Sequence, residues 1–225
     1  IDGSPVGLVL DAEATPMRSI TEPVLESVVS GPRNAFVESM RINTALIRFH
    51  LGDYRLKSEI FIVGRRSNTM VTLMYVEDLA RPEVIEEVRT RMKRIDIDVL
   101  LDSNYIKEYI QDLKYTLFPL MKQTERPDKV VADLAEGRFA IVVDGSPQIL
   151  TAPTVFVELL QASEDYYMNP VVSLGLRFLR YLGLFLTCTM PGLYVATTTF
   201  HQEMIPVPLI FGVAGARETV PFPAF

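Results

Sequence analysis

The longest apolar run of the chain lies in its last quarter. Residues 181–200 read YLGLFLTCTMPGLYVATTTF and carry no charge. An α-helix of about 20 residues spans a hydrocarbon core of about 30 Å. Arg177 and Arg180 precede the run, and the next basic residue is Arg217. The pattern predicts a transmembrane helix, with the N-terminal part of the chain on the cytosolic side.

The composition of this predicted span favours contact with other helices. The span begins at Tyr181 and ends at Phe200, and Gly183, Pro191 and Gly192 lie within it. Small residues allow helix backbones to approach closely, and a proline inside a membrane is tolerated where neighbouring groups satisfy the freed carbonyl. We therefore expect a packed helix, and a simple anchor is the alternative.

A second apolar stretch, residues 204–216, is too short to cross a bilayer alone. Pro206 and Pro208 interrupt it, so the pattern predicts a broken or re-entrant segment. Arg217 and Glu218 follow directly. Charged residues at membrane depth usually face a partner helix or a water-filled path, which makes this pair a candidate intramembrane charge pair.

The chain before residue 170 alternates between two periodicities. Helical spacing, caps and β-rich runs predict both helices and strands. This alternation predicts an α/β fold with a mixed sheet flanked by helices, followed by the transmembrane α-helix. About 150 residues suffice for an independent core. The predicted helices are 34–51, 81–95, 103–112, 127–136 and 154–161, and the main predicted strands are 6–10, 58–63, 69–76 and 138–143.

A short motif occurs twice in the chain. Ile1–Pro5 and Val143–Pro147 share an apolar residue followed by Asp-Gly-Ser-Pro. Asp-Gly between apolar runs is typical of a hairpin turn. The two copies are either independent turns or the mark of a duplicated subdomain. We divide the chain, as a fragment of a longer protein, into 1–19 (end of a preceding α/β subdomain and linker), 20–168 (cytosolic α/β subdomain), 169–203 (transmembrane helix with a cytosolic lead-in) and 204–225 (start of further membrane-embedded segments).

Charge and cysteine content narrow the function classes. The chain has a net charge of −6, and only five of its charged residues, three Arg and two Glu, lie after position 170. The folded part is therefore acidic, which argues against nucleic acid as a partner. The single cysteine, Cys188, lies inside the apolar run, so no disulfide forms within this chain.

No catalytic or metal-binding pattern stands out. The two histidines, His50 and His201, are far apart in sequence, and we expect neither an enzyme nor a bound cofactor or metal. The run Thr124-Glu125-Arg126-Pro127 is a candidate interaction motif. Its Glu125 and Arg126 could hold a ligand or partner, and the alternative is a helix start with an ion pair.

A set of short motifs runs along the chain in order. The pieces are Glu22-Pro23, Val28 to Arg33, Phe36-Val37-Glu38, Asn43 to Arg48, Val63-Gly64-Arg65, Tyr75-Val76-Glu77, Ile95 to Asp98, Leu101-Asp102-Ser103, Thr124 to Asp128, Glu136-Gly137-Arg138, Val143 to Pro147, Glu164 to Tyr167, Phe200-His201 and Val220 to Pro223. This ordered set resembles the A subunit of the GerA-type spore germinant receptors. The resemblance begins near Ile20 and covers a second cytosolic subdomain and the first transmembrane region. Ser30 departs from it, since the family commonly has Arg there.

This resemblance implies a membrane subunit of a receptor complex in the inner membrane of a dormant spore. Such complexes contain a transporter-like B subunit and a lipoprotein C subunit, and the A subunit is expected to form a homo-oligomer. The implied function is to couple nutrient sensing to germination signalling or ion release. The alternative is a structural scaffold that organises the membrane complex without a pore of its own.

Overall fold

The computed structural model describes residues 26, 32, 34–112, 116, 118–162, 165, 167–201, 203, 212 and 215. The chain divides into two compact units, residues 1–167 and 168–225, which are described separately. The first Asp-Gly-Ser-Pro turn, the predicted strand 6–10, most of the apolar stretch 204–216 and the pair Arg217 and Glu218 lie outside the described residues.

The first unit is built on a five-stranded sheet. The strand order is β1-β2-β4-β5-β3, and all four pairings are antiparallel. Strands β4 and β5 form a hairpin around the second Asp-Gly-Ser-Pro turn, as the motif predicts. The strands are β1 (Leu56–Val63), β2 (Thr69–Val76), β3 (Lys122–Thr124), β4 (Phe139–Val143) and β5 (Ile149–Ala152).

Helices cover both faces of this sheet. The central strands are buried on both sides, so alternate residues of one strand enter different cores. Leu73 and Ile141 pack with α2 and α3, whereas Met74 and Val142 pack with α1 and α4. The helices of this unit are α1 (Met40–His50), α2 (Pro82–Arg94), α3 (Ser103–Ile110) and α4 (Pro127–Ala135), and a 3-10 turn spans Phe156–Leu160.

The predicted fold class is confirmed: a sheet flanked by helices is followed by a long apolar helix. The described sheet is antiparallel rather than mixed, because every pair of adjacent strands runs in opposite directions. Local sequence patterns do not determine whether two strands run parallel or antiparallel, because strand direction depends on the connections between distant strands.

Three predicted element boundaries were wrong. The helix expected at 34–51 begins at Met40, because the Asn43 side chain bonds to both backbone groups of Val37 and holds the preceding residues extended. The helix expected at 103–112 ends at Ile110, and its N-cap is Asp102, whose carboxylate accepts from an amide of the first turn. The helix expected at 154–161 is the short 3-10 turn.

The second Asp-Gly-Ser-Pro turn connects the helices of the two sheet faces. The Asp144 carboxylate accepts a hydrogen bond from the Met40 amide at the start of α1, at 2.9 Å. The Ser146 hydroxyl donates to Asp102 at the start of α3, at 2.7 Å. Gly145 between them has φ +88°, a left-handed conformation that favours glycine. The turn thus caps one helix and holds the cap of another.

The second unit contains the long apolar helix α5, Pro170–Val195, which continues as a π-helical turn over Ala196–Phe200. The Asn169 side chain caps its start, and Pro170 occupies the first turn. The combined helix has 31 residues. An 18-residue window within it has a mean hydropathy of 1.5, and 6% of that window is buried. By length and composition, it can cross a membrane.

Candidate functional site

A cleft of the first unit lies between α4 and the 3-10 turn. Its volume is about 590 Å³, and charged side chains make up much of its lining. Because α4 packs on the sheet, these side chains are close to the ends of β3, β4 and β5. The lining residues used below are Glu26, Lys122, Asp128, Lys129, Asp133, Glu136, Arg138, Glu158 and Tyr167.

Asp133 is the central acceptor of this cleft. Asp133 is 5% exposed. Its carboxylate accepts hydrogen bonds from Lys122 Nζ at 3.0 Å, from Thr151 Oγ1 at 2.7 Å and from Arg138 Nη1 at 3.2 Å. These donors come from β3, from β5 and from the residue before β4. One buried carboxylate therefore connects α4 to three strands of the sheet.

Arg138 carries the network across the cleft. Its guanidinium contacts Asp133, pairs with Glu136 at 2.6 Å and forms a two-pronged ion pair with Glu158 of the 3-10 turn. Burial opposes the charge, but the bond to Glu158 and the nearby carboxylates raise the pKa of Arg138. The 3-10 turn is thereby held to the body of the unit by a charge-assisted contact.

A second ionic group lies at the start of α4. Arg126 donates to Asp128 through Nε at 3.0 Å and Nη2 at 2.7 Å, and Tyr167 donates its hydroxyl to Asp128 at 2.6 Å. Burial works to raise the pKa of Asp128, yet the bonds from Arg126 and Tyr167 hold it below its ordinary value. Burial and the bond to Asp128 raise the pKa of Tyr167 to about 12.

The run Thr124-Glu125-Arg126-Pro127 forms the entry to α4. Pro127 is at the first turn of the helix, and the Arg126 side chain is fully buried. The Thr124 hydroxyl accepts from the Arg126 amide and donates to Glu26, while the Glu125 carbonyl accepts from the Phe36 amide. Arg126 of the motif thus forms an ion pair at a helix start with Asp128, which lies directly after the motif, and the role of the motif in holding a ligand or partner stays a prediction.

The sequence motifs do not indicate that Asp133, Lys122, Arg138 and Glu158 lie in one cleft. A signal for Asp133 was present: it lies three residues after Val130 and directly before Leu134, both of which are fully buried. An acidic residue on the apolar face of a helix requires a partner. The identity of that partner depends on which strands lie beside α4.

The residues of the predicted membrane span lie on a helix that is largely exposed. Tyr181 and Phe200 are exposed, and a Cβ atom built at Gly183 or Gly192 meets no heavy atom within 4 Å. Pro191 lies inside the helix. Within the described ranges, no group of three or more His, Cys, Asp or Glu residues is placed to bind a metal ion.

The chain consists of an α/β unit with an antiparallel sheet, followed in sequence by a long, exposed apolar helix. This combination is typical of a membrane protein with a folded domain outside the bilayer. The chain matches the Bacillus/Clostridium GerA spore germination protein family over residues 1–225 and belongs to that family, the spore germinant receptor A-subunit family. The predicted family resemblance is confirmed.

Relatives of this chain include two proteins of Bacillus subtilis (strain 168). The uncharacterized membrane protein YfkQ is 48% identical over 223 residues, which are 99% of this chain and 44% of YfkQ. Spore germination protein KA is 44% identical over 99% of this chain and 41% of its own length. The chain therefore spans less than half the length of these curated relatives.

One solved structure is also similar. The crystal structure of the N-terminal domain of the A subunit of the Bacillus megaterium spore germinant receptor GerK3 is 45% identical in sequence. The match covers 54% of this chain and 97% of that domain, with a TM-score of 0.44.

Proposed function

We propose that this chain is part of a membrane subunit that couples nutrient sensing to germination signalling or ion release in spores. It acts as an oligomer in the inner spore membrane, with its N-terminal domain in the cytosol. Its partners are a transporter-like B subunit and a lipoprotein C subunit of the receptor. The proposal rests on family membership and on the properties of α5.

The observation that carries the proposal is the exposed apolar surface of the combined helix. At about 1.5 Å per residue, its 31 residues extend about 46 Å, close to the 40–45 Å thickness of a bilayer with its headgroups. Large side chains such as Phe185 and Leu193 are more than half exposed. Such a surface is stable in lipid or against other apolar helices. The preceding Arg177 and Arg180 favour a cytosolic N-terminal domain.

Small residues on two faces of α5 support an oligomer. Nine residues at about 100° each place Gly183 and Gly192 on opposite faces of the helix. Thr187 lies one turn after Gly183 and donates its hydroxyl to the Gly183 carbonyl, so it brings no unpaired donor to that face. Cys188, Gly192 and Ala196 form a small-residue series on the other face. A helix in a closed ring needs two such contact faces, one for each neighbour.

Crosslinking through cysteine tests this arrangement, because Cys188 is the only cysteine in the chain. The variant Gly183→Cys adds a thiol on the opposite face and leaves Cys188 in place. If unlike faces of neighbouring copies meet, oxidation of the protein in membranes gives a ladder of dimers, trimers and larger species. Gly183→Cys combined with Cys188→Ser is the matched control and gives no ladder, since each copy then has one thiol.

The scaffold alternative predicts a different result. Self-contacts would then be confined to the cytosolic unit, and an Ile60→Cys variant with Cys188→Ser would crosslink while the α5 pair would not.

A separate test concerns the predicted charge pair. Replacing Arg217 or Glu218 with Ala should impair nutrient-triggered ion release from spores while the protein still accumulates, and normal release in both variants would argue against a role for the pair.

A further inference from the structure

Strand β1 lies at one edge of the sheet. In the part of the chain that the structure describes, β2 is the only strand that pairs with it. An edge strand has unpaired backbone groups along its outer side, and long edges with apolar side chains tend to pair with another chain. β1 is eight residues long, and its side chains Ile60 and Ile62 are 63% and 70% exposed. The outer side of β1 therefore has the properties of a contact surface.

The pattern of hydrogen bonds identifies the residues that face the free edge. The Met70 carbonyl of β2 is opposite Ile62 in the register, but it accepts from the Asp144 amide on the side of β4. Ile62 therefore directs its own N–H and C=O groups away from β2. Because this direction alternates along an antiparallel pair, the outward residues of β1 are Ser58, Ile60 and Ile62.

The charges on β1 are complementary to those of an antiparallel copy of the same strand. Glu59 accepts from Arg89 of α2, and Lys57, two residues earlier, lies on the same side of the strand. If two β1 strands pair about Ser58, Lys57 of each copy lies opposite Glu59 of the other. Pairing about Glu59 would oppose two carboxylates, and pairing about Lys57 would oppose two ammonium groups. Pairing about Ile60 would match neither charge with an opposite one.

The same register brings exposed apolar residues together on the face covered by α1 and α4. Ile60 of one copy lies opposite Leu56 of the other, which belongs to the core of that face. Ile62 reaches the turn before β1, where Tyr54 is 91% exposed. Aromatic and branched side chains that meet across strands stabilise a sheet. Arg48 of each copy approaches the axis on this face, but it is exposed and water screens its charge.

We infer that β1 is a self-association surface, which pairs antiparallel with β1 of a second copy about Ser58 and joins the two sheets. Backbone hydrogen bonds across the edge provide affinity, and the two pairs of Lys57 with Glu59 determine the register. Each copy uses its edge once, so the contact closes at two copies. This inference goes beyond the proposed function, because it concerns the first unit alone and does not depend on α5.

Cysteine crosslinking of the full chain in membranes tests the pairing. Every variant also carries Cys188→Ser, so each copy has one thiol. Ser58→Cys places both thiols at the axis, where the Cα atoms of a hydrogen-bonded pair are about 5.5 Å apart, within the range of a disulfide. Ile62→Cys is the matched control on the same strand, since about 27 Å of extended chain then separates the two positions. Leu101→Cys, 69% exposed outside the sheet, measures random collision.

We expect oxidation to convert the Ser58→Cys protein to a dimer and to leave the two control proteins monomeric. No larger species should form, because the single thiol of each copy is used in the dimer. Equal dimer formation at 58 and 101 would overturn the self-association, and equal or stronger dimer formation at 62 would overturn the register.

A proline in the Ser58→Cys protein tests the backbone hydrogen bonds. The Ile60 N–H faces the free edge, so Ile60→Pro removes a donor to the second copy and none to β2. Each pair of copies loses two donors, and the dimer should become about tenfold weaker. Ile60→Val keeps the N–H and should crosslink as before. Undiminished crosslinking of an Ile60→Pro protein that still unfolds cooperatively in urea would refute the strand pairing.

A charge reversal gives a test that does not alter the backbone. Lys57→Glu in the Ser58→Cys protein places two carboxylates opposite each other in both cross-strand pairs and should cause a loss of dimer. Lys57→Gln removes the charge without reversing it and should cause a smaller loss. Equal crosslinking of Lys57→Glu and its parent would refute the register. If the dimer at 58 is absent while the Gly183→Cys ladder forms, the proposed function stands and this inference fails, whereas the reverse result separates them in the other direction.

Discussion

Replacing Asp133 with alanine should strongly destabilise the first unit, because this carboxylate joins α4 to three strands. The substitution removes the acceptor for Lys122, Arg138 and Thr151 at once. Thr151 is 1% exposed, so its hydroxyl would stay buried without its present partner. The Lys122 ammonium would lose the carboxylate that neutralises it.

The expected magnitude follows from what each donor retains. Removing one partner of a buried ion pair typically costs about 3–5 kcal/mol. Arg138 keeps Glu136 and Glu158, and the Lys122 side chain is 24% exposed and can gain some hydration. The cost should therefore lie at the lower end, at about 3 kcal/mol. This is a large part of the total stability of about 5–15 kcal/mol that is usual for a domain.

Urea unfolding of the full chain in mild detergent, followed by circular dichroism, measures this cost. With a slope of about 2 kcal/mol per molar urea, the midpoint should fall by about 1.5 M. Glu136→Ala is the matched control, since Glu136 lies at the end of the same helix but its side chain is 58% exposed and, among the described residues, pairs with Arg138 alone. Its loss should cost less than about 1 kcal/mol. Equal midpoints for the two variants would refute the central role of Asp133.

Three further predictions follow from local geometry. Asp144→Ala removes the acceptor at the start of α1 and should cost about 1 kcal/mol in urea unfolding, and an unchanged midpoint would contradict the cap. Gly137→Ala should destabilise the unit more than Gly145→Ala in the same assay. Both glycines have positive φ, but only the Cβ at 137 would lie 2.5 Å from the Leu79 carbonyl oxygen. Equal losses of unfolding free energy in the two variants would exclude that clash. Because its pKa is lowered in the folded state, Asp128 contributes stability that is present above its ordinary value of 3.8 and is lost as the pH falls further. Asp128→Asn should reduce this acid-dependent loss in unfolding midpoints measured between about pH 5 and pH 2, and an unchanged pH profile would show that other carboxylates cause it.

Local sequence signals predicted several elements well. The predicted strand 69–76 matches β2, and the helix predicted at 81–95 corresponds to α2, Pro82–Arg94. Proline at the helix start and β-branched residues in the strand act through their own backbone preferences. The Asp-Gly turn after β4 was predictable for the same reason, because Gly145 adopts the positive φ that the hairpin needs.

The cleft could not be predicted in the same way. Lys122, Asp133 and Arg138 meet because β3 lies at the sheet edge beside β5 and because α4 packs on β4 and β5. No spacing rule connects a three-residue strand with a residue at the end of a helix. The start of α1 was missed for a similar reason, since Asn43 and Asp144 fix it through contacts outside the helical periodicity.

The sequence by itself determined the α/β class, the long apolar helix with its arginine lead-in and the family of the chain. These properties depend on neighbouring residues along the chain, where backbone sterics and the transfer of apolar side chains from water act locally. Only the tertiary structure decided the strand order, the antiparallel directions and the network around Asp133. Those features depend on which distant segments bury each other's polar and apolar groups, and that choice is made when the whole core packs.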